Sequence, residues 1–172
     1  MFKFVLATMM FPFFIGLIPS YMLISWLGLN NTLLGVILPA GASAYTIFFL
    51  RQYILTVPDE LIEAARISGA SEFKIYWRII VPLIKPALIS IGLLNSVWIW
   101  NDLIWPMVVL QSRDLATVQV ALAGLWDIRG QLSDINLVLA SAFIAAVPTI
   151  IIAIIAIGYL IKGFTGLGYV KR

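Results

Sequence analysis

The sequence predicts an all-α fold: a polytopic membrane helix bundle of about four transmembrane helices, with one charged loop between the second and third. Three observations predict it. Hydrophobic residues make up 62% of the 172 residues and charged residues only 11%, against about a quarter charged in a soluble domain. Mean hydropathy is +1.05, and four apolar runs are long enough to cross a hydrocarbon core of roughly 30 Å, which takes about 20 helical residues. The charge is also gathered: Pro58 to Pro86 holds four of the eight acidic residues and four of the eleven basic ones.

The expected spans are residues 4–27, 32–50, 83–110 and 137–161. Each contains proline: Pro12 and Pro19, Pro39, Pro86 and Pro106, and Pro148. Proline removes a backbone donor, and membrane helices tolerate it where neighbours compensate, so these positions are expected to kink. Lys3 before an apolar run is also how a secretory leader begins, but the run is too long and no A-x-A-like site follows. It is read as a span. Ala40, Gly41, Ala42, Ser43 and Ala44 narrow the second span, and small residues permit close helix approach.

Orientation follows from lysine and arginine. With the N-terminus inside, Lys3, the loop residues Arg51, Arg66, Lys74, Arg78 and Lys85, and the tail residues Lys162, Lys171 and Arg172 are cytoplasmic. Only Arg113 and Arg129 lie outside. Both termini and the loop over residues 51–82 therefore face the cytoplasm. The net charge of +3 is read as this topology and not as affinity for nucleic acid. The chain has no cysteine and no histidine, which removes thiol nucleophiles, thiolate metal sites and imidazole bases. No paired intramembrane acid is present either, so an intramembrane enzyme is disfavoured.

The loop reads as two short helices around a corner. Pro58 suits a first helical position, and Asp59 and Glu60 then meet the positive end of the helix dipole. Leu61, Ile62, Ala65 and Ala64 can form an apolar face. Gly69 suits a position just past a helix end, where a left-handed backbone is cheap, and Ser71 can cap the next helix. Phe73, Tyr76, Trp77 and Ile80, spaced at three and four, share a face of that helix, which Val81-Pro82 is expected to close. Taken alone, this pattern also fits an amphipathic hairpin lying on the membrane surface.

The residues go further. Glu63-Ala64-Ala65, three residues, Gly69, nine residues, then Ile79-Ile80-Val81-Pro82 resembles the EAA motif of ABC-importer permeases, with Val81 where leucine is usual. Phe48-Phe49-Leu50-Arg51-Gln52, Trp100-Asn101-Asp102-Leu103-Ile104-Trp105-Pro106, Gly163-Phe164-Thr165, Met9-Met10-Phe11-Pro12 and Leu17-Ile18-Pro19 are similar to the carbohydrate-type branch. The likeness runs from about Leu6 to the end of the chain.

The resemblance implies a type I importer transmembrane domain over residues 1–162, a cytoplasmic tail over 163–172, and a bacterial or archaeal plasma (inner) membrane. It implies that Glu63, Ala64, Ala65, Gly69, Ile79 and Pro82 couple the chain to a cytoplasmic ABC ATPase dimer. ATP would be bound by that ATPase, so this chain itself needs no cofactor. This agrees with the lack of a G-x-x-x-x-G-K-[ST] phosphate loop in the sequence. A second permease subunit would complete the pore, and an extracytoplasmic solute-binding protein would deliver the solute, a sugar or related polyol. Members of the branch usually have six spans, and this sequence begins at what resembles the third. An importer for another solute and a shortened, non-transporting subunit that binds only the ATPase are the alternatives. An intact mass from native membranes well above 19.1 kDa is expected if further spans precede Met1.

Asn95, Trp98 and Asn101 in the third span are candidates for a solute path. The asparagines can equally hydrogen-bond between helices, and Trp98, Trp100 and Trp105 can equally form an outer aromatic belt. Asp102 lies roughly 24 Å along the helix from Pro86. That places it near the outer interface, where the cost of burying a charge is smaller.

Overall fold

The computed structural model describes residues 2–125 and 135–168. Arg129 and the tail residues Lys171 and Arg172 fall outside the described residues. Every element among the described residues is helical. In chain order these are α1 (Phe2–Met9), α2 (Phe13–Trp26), α3 (Leu33–Ala40), α4 (Ala44–Ile54), α5 (Asp59–Ile67), α6 (Glu72–Ile75), a π-helical turn (Tyr76–Ile80), α7 (Val81–Leu83), α8 (Lys85–Trp100), α9 (Ile104–Val109), a 3-10 turn (Arg113–Leu115), α10 (Val118–Ala123) and α11 (Ile135–Gly168).

Two stretches, Leu33–Ile54 and Ile135–Ile157, are long and apolar enough to cross a membrane. Counting each bent pair as one span raises the number to four. The run expected over residues 4–27 is not one straight helix. It breaks around Met10–Pro12, and α1 and α2 meet at 107°, because Pro12 takes extended backbone at the start of α2. The run expected over 83–110 is interrupted at Asn101–Leu103, between α8 and α9. The second span runs on to Ile54, and α11 continues through Gly168, into the segment expected as a tail.

The second span carries its own interruption. α3 ends at Ala40 and α4 begins at Ala44. Ser43 caps α4 by accepting from the Thr46 amide at 3.3 Å, as Thr32 caps α3 by accepting from Gly35 N at 3.1 Å. The small residues at 40–44 thus open the helix rather than simply narrowing it.

One buried cluster joins α2, α3 and α9: Ile24, Trp105, Val109 and Leu110, with Leu17, Tyr21, Leu29 and Val36 against them. The link from α2 to α3 is held by two left-handed residues. Gly28 (φ 69°) ends α2 with Leu29 N donating to Ile24 O at 3.0 Å. Asn31 (φ 54°) sends its side-chain oxygen to the amides of Gln111 and Ser112, both at 3.0 Å. Asparagine tolerates this conformation better than most residues. α8 lies along α11, where the Trp100 indole N–H donates to Ala145 O at 3.0 Å.

Most of the remaining apolar surface is uncovered: 6% of the apolar window of each long span is buried. Phe4, Phe11, Trp26 and Phe143 are among the exposed rings. Such a surface suits lipid or further helices as its environment.

Gly35 marks the tightest approach. A Cβ there would overlap Leu29 O and sit 3.0 Å from Val109 Cγ1 and 3.2 Å from Ile24 Cγ2. Its carbonyl accepts the Trp105 indole N–H at 3.2 Å. Gly35→Ala is expected to cost about 1–3 kcal/mol by overpacking, read as a lower thermal midpoint of the detergent-solubilised protein, with Gly92→Ala, where a Cβ meets nothing within 4 Å, as the control whose midpoint stays level or rises because alanine favours a helix interior.

Candidate functional sites: a braced loop and an interrupted span

The loop between Ile54 and Lys85 is built by local rules. Pro58 takes extended backbone as the N-cap of α5, one place before the expected first helical position. Asp59 and Glu60 fill the first turn and Arg66 the last, both favourable to the helix dipole. At the end of α5, Gly69 has φ 78°, Ala70 N donates to Ala65 O at 3.1 Å and Gly69 N to Arg66 O at 2.9 Å. This paired arrangement closes a helix and needs a left-handed residue. Ser71 then caps α6, accepting from Lys74 N at 3.4 Å.

A fork braces the corner. Arg66 Nε donates to Glu72 Oε1 at 2.7 Å and Nη2 to Oε2 at 3.1 Å. The sequence reading missed this pair, because residues six apart are not neighbours on one helix. Only the turn at Gly69 brings them together.

α5 presents Glu63, Leu61, Ala64 and Ile67 outward, while Ile62 and Ala65 are half-buried. The exposed apolar face therefore runs through Leu61, Ala64 and Ile67, at spacings of three. Ile67, 88% exposed, was not singled out from the sequence, although its spacing from Leu61 and Ala64 was available.

In the second helix Phe73, Tyr76 and Trp77 lie together, as their spacing predicts, and stay exposed as an edge-on aromatic group, while the buried anchor is Ile75, 1% exposed. The helix differs from expectation in that it does not close at Val81-Pro82. A π-helical turn carries it over Tyr76–Ile80 and on through α7, and the 68° bend comes between Leu83 and Lys85. Pro82 lies one residue before the end of this continuous stretch, just after the π-helical turn. Ile79 is half-buried and Pro82 exposed on this stretch.

In the third span, Asn95 Nδ2 donates to Thr46 Oγ1 of α4 at 2.8 Å. Asn101 Nδ2 donates to Val97 O at 2.7 Å and, more weakly, to Thr149 Oγ1 of α11 at 3.4 Å. Both asparagines are thus engaged in holding helices. Trp98 is 66% exposed, its ring stacked on Tyr45 with centroids 5.8 Å apart. Asp102 caps α9, Oδ1 accepting from Trp105 N at 3.4 Å.

Apolar interrupted spans with a charged, braced elbow between them define an all-helical domain of the polytopic membrane class. The chain belongs to the family of binding-protein-dependent transport system inner membrane components, whose profile matches residues 1–166. It is 41% identical over 164 residues to the arabinooligosaccharides transport system permease protein AraQ of Halalkalibacterium halodurans, covering 95% of this chain and 58% of that protein. It is 32% identical over 159 residues to the sn-glycerol-3-phosphate transport system permease protein UgpE of Brucella suis, covering 92% of this chain and 56% of that one. Its fold matches a chain from the crystal structure of a bacterial ABC transporter involved in the import of the acidic polysaccharide alginate, with a TM-score of 0.78 and 27% identity over 92% of this chain and 60% of that one. The chain thus spans somewhat more than half the length of these relatives.

The brace makes the corner sensitive to acid. The Arg66 guanidinium holds the Glu72 carboxyl below its usual range, and Glu72 holds Arg66 above its own. A lowered carboxyl contributes above its ordinary range and loses that contribution as pH falls through the lowered value. The raised guanidinium contributes at every pH below its ordinary range, so acid acts through Glu72 alone. Glu72→Gln at neutral pH is therefore expected to speed amide exchange at Gly69–Ala70 about two- to five-fold, the modest size of an exposed pair. Acid should narrow the gap between wild type and variant, compared at matched pH.

Proposed function

We propose that the chain is the membrane permease subunit of an ATP-driven, binding-protein-dependent importer of sugars or related polyols, in which the loop over residues 51–82 couples a separate ATPase to translocation. The observation that carries this reading is the braced elbow. In a chain of this permease family, the EAA positions form a short helix whose outer face offers Leu61, Ala64 and Ile67 beside Glu63. The Gly69 turn and the Arg66–Glu72 fork lock its angle to the next helix. Apolar side chains fill a groove on the ATPase, and Glu63 meets basic groups there. A locked elbow transmits displacement instead of absorbing it, so nucleotide-driven motion of the ATPase reaches α8 through the helix ending at Leu83. The spans then alternate between inward-open and outward-open arrangements.

The partners follow from this reading: a cytoplasmic ATPase dimer that binds the ATP, a second permease subunit across the exposed apolar faces, an extracytoplasmic solute-binding protein, and lipid around the rest. The placement of lysine and arginine supports cytoplasmic termini. Of the three solute-path candidates, Trp98 keeps an exposed face, while Asn95 and Asn101 act as helix-to-helix bonds beside the path.

Mild-detergent purification from native membranes, with mass spectrometry of the retained proteins, tests the assembly. An ATPase, a second permease and a solute-binding protein are expected together. Recovery of the chain without any ATPase would count against the coupling role of the loop. Glu63→Lys and Ile67→Asp are each expected to reduce ATPase retention at least about ten-fold, as for central interface residues. Gly69→Val forces a β-branched residue to positive φ, at about 1–3 kcal/mol. It should abolish solute-stimulated ATP hydrolysis while membrane insertion stays normal.

A further inference from the structure

Three helix interruptions meet at one place. A cavity of 480 Å³ is lined by Phe11 and Pro12 from the α1–α2 break, Pro39, Ala40 and Ala42 from the α3–α4 break, and Asp102 from the α8–α9 break. Broken helices in a membrane are tolerated where they are buried in protein or line a water-filled cavity, and this volume is within the roughly 300–1,000 Å³ of small-ligand sites. Small residues at 40–42 and the bend at Pro12 leave the space, and Asp102 brings a carboxylate to it.

The polar groups here have unused capacity. A carboxylate offers about four acceptor positions, and among the described residues Asp102 receives one long contact, from Trp105 N at 3.4 Å. Ser20 lines the cavity, and its hydroxyl makes no hydrogen bond with the described residues. Thr8, also in the lining, gives its proton to Val5 O at 2.7 Å, which leaves its oxygen as an acceptor. The described lining residues include no Lys or Arg. The set is therefore rich in acceptors, carries one negative charge, and has no cation to neutralise a second one.

We propose that this cavity is a solute subsite on the translocation path that takes uncharged, polyhydroxylated sugars and turns acidic ones away, with Asp102 as the selective group. Sugar hydroxyls donate to the carboxylate and to Thr8, and exchange hydrogen bonds with Ser20. An acidic sugar would bring a like charge beside Asp102, with no lysine or arginine in the described lining to offset the repulsion. This inference rests on the importer reading and narrows its substrate class.

The test uses the full permease purified in detergent with its ATPase and partner permease, and equilibrium dialysis of three trisaccharides: neutral arabinotriose, acidic trigalacturonate and the cationic trimer of glucosamine. Arabinotriose is expected to bind at least about ten-fold more tightly than trigalacturonate, the scale of a hydrogen bond to a charged group. Asp102→Asn, which keeps a cap for α9, should bring the two within about three-fold. Asp102→Ser, another capping residue, gives the same reading if the Asn variant does not assemble. Ser20→Ala should weaken arabinotriose several-fold and leave the charge preference in place. A preference unchanged in the Asp102 variants, equal binding of neutral and acidic sugars by wild type, or a glucosamine trimer bound no better than trigalacturonate each overturns the subsite. If that happens while the ATPase co-purifies and solute stimulates its hydrolysis, the importer reading stands. If no trisaccharide binds and no ATPase is retained, both fall.

Discussion

Backbone polar groups in hydrocarbon must find partners within the protein, at several kcal/mol for each that does not. This chain breaks its helices repeatedly, and the fold is organised by how each break is satisfied. Thr32 and Ser43 cap the two halves of the second span. Asn31 reaches across to the amides of Gln111 and Ser112. Asn101 bonds back to Val97 O while Asp102 caps α9. In each case a short polar side chain stands where the intrahelical ladder stops. The rest of the packing depends on these positions, because an unsatisfied break would favour a continuous helix of different shape.

The buried cluster shows the dependence directly. Trp105 enters it only because α9 starts afresh after Asp102, and its indole N–H is satisfied by the carbonyl of Gly35. That approach requires a residue without Cβ. One break, one aromatic ring and one glycine thus define how the second and third spans meet. The same interruptions leave a cavity between them, so the features that cost regular hydrogen bonding also make the space that the proposed subsite would use.

The charged elbow uses the same chemistry at an exposed corner. A left-handed glycine ends one helix, a serine starts the next, and an exposed fork between Arg66 and Glu72 braces the angle. In water the fork adds little stability, so the angle rests chiefly on the left-handed turn at Gly69 and the Ser71 cap, with the fork as a supplement. The charges gathered between Pro58 and Pro86 serve local ends: acids at a helix start, an arginine at its end, and one pair across a corner. In the importer reading, what remains outward is a small apolar face beside Glu63, shaped for a soluble partner.

The sequence by itself determined the helical class, the apolar spans and the two-helix loop. Those features follow from hydropathy and from local caps, which act over a few residues and need no knowledge of distant ones. Gly69 in the left-handed turn and Ser71 as a cap were legible for that reason, and the EAA spacing was legible because it is linear. The sequence marked Pro12 as a kink, but only the tertiary structure set its angle at 107°, carried the loop helix through Pro82 and buried Ile75 as its anchor. Tertiary structure alone decided that Asn95 and Asn101 bond to Thr46 and Thr149 while Asp102 faces a cavity. The two asparagine bonds join residues 49 and 48 apart in the chain, so they depend on which faces of distant helices come together. The periodicity of a uniformly apolar span does not distinguish one face from another, so packing makes the choice.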